Sequence, residues 1–257
     1  MGRHAVRAWP LRSGSVPNPK GKGFASEERE RERGMAMHLL LTGFEPFGGE
    51  AVNPSAEIVR LIAADPPSGV EITVLVLPVR GRVTFEQLVP ALDAPGLDAW
   101  LGVGQAGGRA QLAVERVGIN LLIDRDLDAA DARAIQDDFA GPLEQTLVAG
   151  APAAYFARLP VVRLAAHMGA AGAPTAVSHS AGAYICNEAL YVAEHHLTTS
   201  GRGLVSGFIH VPYLPEQAAT KHTPVPSMAR ETQLLGVRAA VEFVRDLVAA
   251  RAGVAAR

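Results

Sequence analysis

The run His38-Leu39-Leu40-Leu41-Thr42 is followed by Gly43-Phe44-Glu45-Pro46-Phe47-Gly48-Gly49 and, after Asn53, by the segment Pro54 to Ala64. A short apolar run predicts a buried strand. The glycines and the proline of the next stretch predict a loop, and Pro54 stands at a suitable first helical position with Ile58, Leu61 and Ile62 spaced to share one helix face. Strand, loop, helix is the unit, and the chain repeats its rhythm. Glu71 to Leu77 reads as a second strand, Val83 to Leu92 as a helix, Ala99 to Val103 as a third strand, and Leu112 to Ile123 as extended structure broken at Gly118. Ala154 to Met168 reads as helical, Thr175 to Ser178 and Leu204 to Val211 as strands, and Ala229 to Ala250 as a final helix. That helix carries Leu234, Val237, Val241, Val244 and Val248 along one side for the core. Short strands alternating with helices predict an α/β class fold: a three-layer α/β/α arrangement around a twisted, mostly parallel, mixed sheet.

Outside this pattern lies the N-terminus. Residues 1–36, with Pro17-Asn18-Pro19-Lys20-Gly21-Lys22 and mixed charges from Glu27 to Arg33, show no core-forming periodicity and are set apart as an extension. Residues 37–257 form the expected single domain, a length that one α/β unit can fold around a sizeable core. Of the 257 residues, 48% are apolar and the formal net charge is -2, a balance that favours neither disorder nor a nucleic-acid partner. No apolar run approaches the roughly 18 to 20 residues needed to cross a bilayer, and no secretion signal is evident, so the expected setting is cytoplasmic, with no membrane partner. One cysteine, Cys186, allows no internal disulfide, which fits a reducing compartment and leaves two readings, a reactive thiol or an inert core residue.

Around it the sequence reads Ser178-His179-Ser180-Ala181-Gly182-Ala183-Tyr184-Ile185-Cys186-Asn187, and then becomes helix-periodic. Ser180 is a candidate N-cap. A helix starting just after it places Cys186 in the first two turns, where the dipole and free N–H groups lower a thiol pKa. His210 ends the run Ser206-Gly207-Phe208-Ile209, at the point where a Pro212 and Pro215 loop begins. Ligands gather at such carboxyl ends of strands, so His210 is a candidate base, the alternative being a hydrogen-bonded structural residue. Glu115 sits in the apolar stretch Ala113-Val114-Glu115-Arg116-Val117. A carboxylate buried there needs a partner, either Arg116 or another base in an ion pair, or an imidazole whose tautomer it fixes. His195 and His196 are adjacent on a helix, do not share a face, and do not suggest a metal pair.

Gly102-Val103-Gly104-Gln105-Ala106-Gly107 matches the dinucleotide-binding pattern, and a non-catalytic nucleotide-binding protein is the reading it would support. The pattern requires a helix to begin within it. Leu112 to Ile123 reads instead as extended, so the expected role is a tight loop at a pocket rim, with no organic cofactor.

Six blocks in order carry a resemblance. They are Leu41 to Gly49 with Asn53-Pro54, Gly102 to Arg109, Glu115-Arg116 with Asn120, Gly150 to Phe156 with Leu159-Pro160, Ser180-Ala181-Gly182 with Tyr184 and Cys186-Asn187, and Gly207 to Gln217. From His38 to the last helix the chain resembles the pyroglutamyl peptidase I family, also called pyrrolidone-carboxylate peptidases. The resemblance implies a cysteine omega-peptidase that removes N-terminal pyroglutamate from peptides through a thioester, without metal or cofactor, and that self-associates as a homo-oligomer. It implies Cys186 as nucleophile, His210 as base and Glu115 as its orienter. It further implies Phe44 and Phe47 as walls for the lactam, the alternative being that they seal the loop against the core, and it adds Gln105 to the substrate site. Arg125, with the Cys186 N–H, would stabilise the oxyanion. Family members follow the arginine with an aliphatic residue, proline, aspartate and asparagine, whereas Arg125 is followed by Asp126-Leu127-Asp128-Ala129-Ala130, and His179 stands where asparagine is common. Asp126 motivates a rival, a related cysteine amidase for another small N-blocking acyl group.

Overall fold

The computed structural model describes residues 36–82, 84–123 and 144–255. The extension assigned to residues 1–36 falls outside the described residues except for Ala36, and Arg125 with Asp126 to Ala130 falls outside them entirely. Strand β1 (Met37–Phe44) leads through a loop to α1 (Pro54–Ala64) and then to β2 (Val70–Leu77). The loop is held by Asn53, whose Oδ1 accepts from the Ser55 N–H at 3.0 Å while its Nδ2 donates to the Glu45 carbonyl at 2.9 Å. Pro54 takes the first turn of α1, as expected. Ile58 and Ile62 are buried, but Val59 rather than Leu61 completes the face, and Leu61 is 44% exposed.

A π-helical turn (Thr84–Leu88) runs into α2 (Val89–Leu92), where the sequence predicts one continuous helix. Pro90 lacks the N–H that an α-helical turn would use, and the backbone ahead of it is wound wider. Strand β3 (Ala99–Gln105) is followed by β4 (Leu112–Glu115), β5 (Val117–Ile119), β6 (Leu122–Ile123), β7 (Glu144–Gln145) and β8 (Ala154–Phe156). The extended stretch is interrupted at Arg116 rather than Gly118, which lies inside β5. A Cβ on Gly118 would stand 2.7 Å from the Tyr191 nitrogen, so this glycine admits a helix backbone instead of ending a strand. The helix expected from Ala154 is also shorter. Residues 154–156 pair antiparallel with β5, and α3 (Val161–Ala170) begins only after Pro160, which disfavours a helical Leu159.

Next come β9 (Thr175–Ser178), α4 (Ile185–Thr199), β10 (Val205–Val211), α5 (Pro215–Ala218) and α6 (Arg230–Ala255). The main sheet has the order β2-β1-β3-β10-β4-β9, parallel except where β10 meets β4. α1, α3 and α6 cover one face over a core that includes Leu39, Val103, Ile209 and Val241. α2 and α4 cover the other over Leu40, Trp100, Leu190 and Phe208. This is the three-layer α/β/α class with a mixed, mostly parallel sheet. Val237, Val241 and Val244 are fully buried and Leu234 and Val248 pack beside them, so the stripe on the last helix is core. Among the described residues no helix is long and apolar enough to cross a membrane.

Candidate active site

Strand parity brings His210 and Glu115 together. Alternate residues of β10 face opposite ways, so Phe208 and His210 point to the α4 side while Ile209 and Val211 enter the other core. In the antiparallel pairing Phe208 lies opposite Glu115 and His210 opposite Ala113, which makes Glu115 a diagonal same-face neighbour of His210. The side chains meet, with His210 Nδ1 2.7 Å from Glu115 Oε1. Both are buried, Glu115 completely. Burial opposes ionisation of Glu115, but the hydrogen bond and charge of His210, with Ser178 and the Arg109 guanidinium, outweigh it and hold the carboxyl below its ordinary range. An ionised carboxylate only accepts, so Nδ1 carries the imidazole proton and Nε2 is left as the basic nitrogen.

Of the partners left open for Glu115, the structure supplies two. Arg109 Nη1 donates to the same Oε1 at 2.8 Å and Nη2 to the Ser180 carbonyl at 3.3 Å, whereas Arg116 does not pair with Glu115. The pairing of Arg109 is not predicted from sequence, because the short stretch between it and Glu115 includes the start of β4 and gives no periodic signal. Asn187 is also unforeseen. Fully buried, it accepts from the Ile119 N–H at 2.8 Å and donates to the Ile119 and Leu121 carbonyls, tying the helix that carries Cys186 to β5 and to the chain beyond it.

Cys186 is the second residue of α4. The expected N-cap, Ser180, does not cap it: its hydroxyl accepts from the Gly182 N–H at 3.2 Å, closing a local turn, and Gly182 takes a φ of 81° that no helix continues. Tyr184 occupies the cap position in extended conformation, and the first helical bond runs from the Glu188 N–H to the Tyr184 carbonyl. The N–H groups of Ile185, Cys186 and Asn187 thus begin the helix ahead of its first internal bond. The thiol lies over β3, where a Cβ on Gly104 would sit 2.8 Å from Sγ and 2.9 Å from the Phe208 ring. The same ring crowds Gly102, and Tyr213 crowds Gly107. All three glycines of the dinucleotide-like pattern therefore serve close packing, and the element that follows them is β4, not a helix.

The expected depression of the thiol pKa is not found. Burial pushes Cys186 up to about 12, the Glu115 charge adds to this, and Arg109 and the residue's own N–H oppose it. A thiol raised in this way is expected to be protonated at neutral pH until substrate arrives. Alkylation by iodoacetamide without substrate is expected to accelerate about tenfold per pH unit from pH 7 to 9.5, as the thiolate fraction grows. A plateau below pH 8 would reveal a standing thiolate.

A cavity of about 340 Å³, toward the small end of the roughly 300–1,000 Å³ of small-molecule sites, is lined by Phe44, Phe47, Gln105, Arg109, Cys186 and His210, together with residues 181–185. Glu115 stands behind His210 and does not line it. Phe44 is buried with its ring centroid 6.2 Å from that of Phe208, so it seals the core and lines the cavity at once, while Phe47 is partly exposed. Arg125 lies outside the described residues. His195 bonds Tyr155 and His196 bonds Asp93, and among the described residues no cluster of metal-ligating side chains occurs.

A thiol at a helix start and a carboxylate-held imidazole, converging on one cavity at the carboxyl end of an α/β sheet, form the constellation of cysteine hydrolases. Comparison with known proteins narrows that class. Residues 37–246 match the family model described as pyroglutamyl peptidase. The pyrrolidone-carboxylate peptidase of Cupriavidus necator is 43% identical over 204 residues, 79% of this chain and 90% of that protein. Among solved structures, the pyroglutamyl peptidase I of Bacillus amyloliquefaciens is 33% identical with a TM-score of 0.72, covering 82% of this chain and 95% of that one. A mutant form of the Pyrococcus furiosus pyrrolidone carboxyl peptidase is 34% identical with a TM-score of 0.73, covering 82% of this chain and 100% of that one. The chain belongs to the pyroglutamyl peptidase family of cysteine peptidases.

Proposed function

We infer that this protein is a pyroglutamyl-peptidase I, a cysteine omega-peptidase that hydrolyses the bond after an N-terminal pyroglutamyl residue. The observation that carries this reading, beside the family, is the 2.7 Å contact of His210 with Glu115 behind the cavity that Cys186 lines. As Cys186 Sγ attacks the pyroglutamyl carbonyl carbon, its proton passes to His210 Nε2, and the Glu115 carboxylate stabilises the imidazolium. Because the thiol starts neutral, attack and proton transfer are coupled. The oxyanion takes the Cys186 N–H and, on the family resemblance, Arg125. Collapse breaks the C–N bond, the leaving amine takes the proton from His210, and a thioester remains. Water then loses a proton to Nε2 as it attacks the thioester, and the thiol leaves reprotonated with pyroglutamate released. No step calls for a metal or a cofactor.

Phe44 and Phe47 form the apolar walls for the flat, uncharged lactam, and Gln105 supplies a polar contact. The natural substrates on this reading are peptides blocked by pyroglutamate. A cytoplasmic setting suits a lone thiol, and a homo-oligomer is the assembly the family resemblance favours. The test is turnover of L-pyroglutamyl 7-amido-4-methylcoumarin against the acetyl, formyl and prolyl analogues. A preference of at least roughly 100-fold for the lactam is expected, since a site built to bond a polar group rejects analogues lacking it. A preference for a non-lactam acyl group would favour the rival amidase.

A further inference from the structure

Glu188 lies in the first turn of α4, two residues beyond Cys186, and is fully buried, although no step of the reaction above uses it. Enclosing a carboxyl group is costly unless it is bonded. Its Oε2 accepts from the Arg82 N–H at 3.1 Å and its Oε1 from the Thr84 hydroxyl, which belongs to the π-helical turn and is itself buried. Burial pushes the carboxyl above its ordinary range, and the bonds from Thr84 and Arg82 limit the rise. The thiol's own pKa is moved by Glu115 and Arg109, not by Glu188. Any effect of Glu188 on the site therefore passes through the segment it bonds.

That segment is strained at the point of contact. Arg82 has a φ of 63°, the only positive value of a non-glycine residue among the described residues, while Gly81, which would take it freely, stands one position earlier. The turn is held by its contacts rather than chosen by its residue. Residues 78–82 are tied at both ends, since the Leu77 carbonyl accepts from the Glu45 N–H at 2.9 Å before them and Glu188 bonds Arg82 and Thr84 after. Between the ties, Val79 packs against the apolar cluster that holds Phe44, Ala181 and Ile185, and it lines the cavity with Cys186. One helix thus carries the thiol and the group that secures this stretch of wall.

We propose that Glu188 is a positioning residue, fixing the loop of residues 78–82 to the helix of Cys186 and so keeping Val79 in the cavity wall. For its ligand this rests on the pyroglutamyl reading above, in which the wall meets the apolar part of the lactam ring. That part does not react. The contact is the same in ground and transition states, so its loss raises KM and leaves kcat nearly unchanged.

The test is a double-mutant cycle on L-pyroglutamyl 7-amido-4-methylcoumarin with Glu188→Met, Val79→Ala and the double variant. Each single substitution is expected to raise KM by roughly 10-fold, with kcat within about threefold of the parent. In the Val79→Ala background Glu188→Met is expected to cost no more than about twofold, because its effect passes through Val79. Glu188→Gln should restore a KM within about threefold of the parent, since its oxygen still accepts from Arg82 and its NH2 group reaches the Thr84 oxygen. The slope of iodoacetamide alkylation against pH should be that of the parent in every variant. A lowered unfolding temperature with KM unchanged, an equal loss in both backgrounds, or a shifted alkylation profile overturns the proposal and leaves the functional reading standing. Should Glu188→Met not fold, Thr84→Val removes one donor from the other side of the link and carries the same cycle, with KM expected to rise at least roughly threefold. A parent that cleaves the acetyl, formyl or prolyl amide but not the lactam overturns the functional reading alone, and the cycle is then judged on that amide. A parent inactive on all four overturns both.

Discussion

Cys186→Ala is expected to lower kcat on a pyroglutamyl amide by at least roughly 10⁴-fold if Cys186 is the nucleophile, as removal of the nucleophile does in other acyl-transferring peptidases, where only binding and oxyanion contacts survive. The remaining groups cannot substitute. His210 Nε2 would have to activate water across the space that sulfur occupied, and His195 and His196 are engaged with Tyr155 and Asp93. Folding should be little affected. The substitution removes one atom over Gly104 and keeps the helix start, so thermal unfolding should move by no more than roughly 4 °C. Rate and stability are therefore measured on the same preparation. Residual turnover above about one percent, with the unfolding temperature unchanged, would mean that another group carries the acyl transfer and that Cys186 is an inert packing residue at the cavity edge.

The sheet and its helices were legible because their signals are local. The apolar run at Leu39 to Leu41, Pro54 at the helix start and the stripe from Leu234 to Val248 each report a burial pattern within a few residues. The errors fall where a distant partner decides. Residues 154–156 become a strand because β5 offers an edge, and Ser180 fails as a cap because Gly182 turns the chain for two more residues before Tyr184 takes the position. The site divides in the same way. Glu115, Cys186 and His210, the proposed triad, stand out in sequence through ordered motifs. The contacts that set their surroundings join residues far apart in sequence: Arg109 reaches the Ser180 loop, Asn187 reaches Ile119, and Glu188 reaches Arg82 and Thr84. No periodicity announces such pairs. The thiol pKa failed for a related reason, since the helix start is visible in sequence while the enclosure of the sulfur and the charge of Glu115 are not.

Glu115→Ala is expected to lower kcat by roughly 10³- to 10⁴-fold, the scale on which an orienting carboxylate acts in a catalytic triad. Removing it frees the imidazole to take the tautomer with Nε2 protonated and withdraws the charge that stabilises the imidazolium. Glu115→Gln should be much milder, roughly 10- to 100-fold, and the reason is Arg109. Its Nη1 donates to the same oxygen that His210 contacts, so it selects the rotamer of a glutamine that keeps the carbonyl oxygen in place and the NH2 group away from the ring. His210 would still find an acceptor at Nδ1 and retain the productive tautomer. Only the charge would be lost. The two variants thus separate orientation from electrostatics, with kcat at saturating substrate as the readout and circular dichroism to confirm folding. If Gln is as damaging as Ala, charge dominates and Arg109 does not preserve the tautomer. If Ala retains more than about a tenth of kcat, Glu115 is a structural partner of Arg109 and the imidazole is oriented by something else.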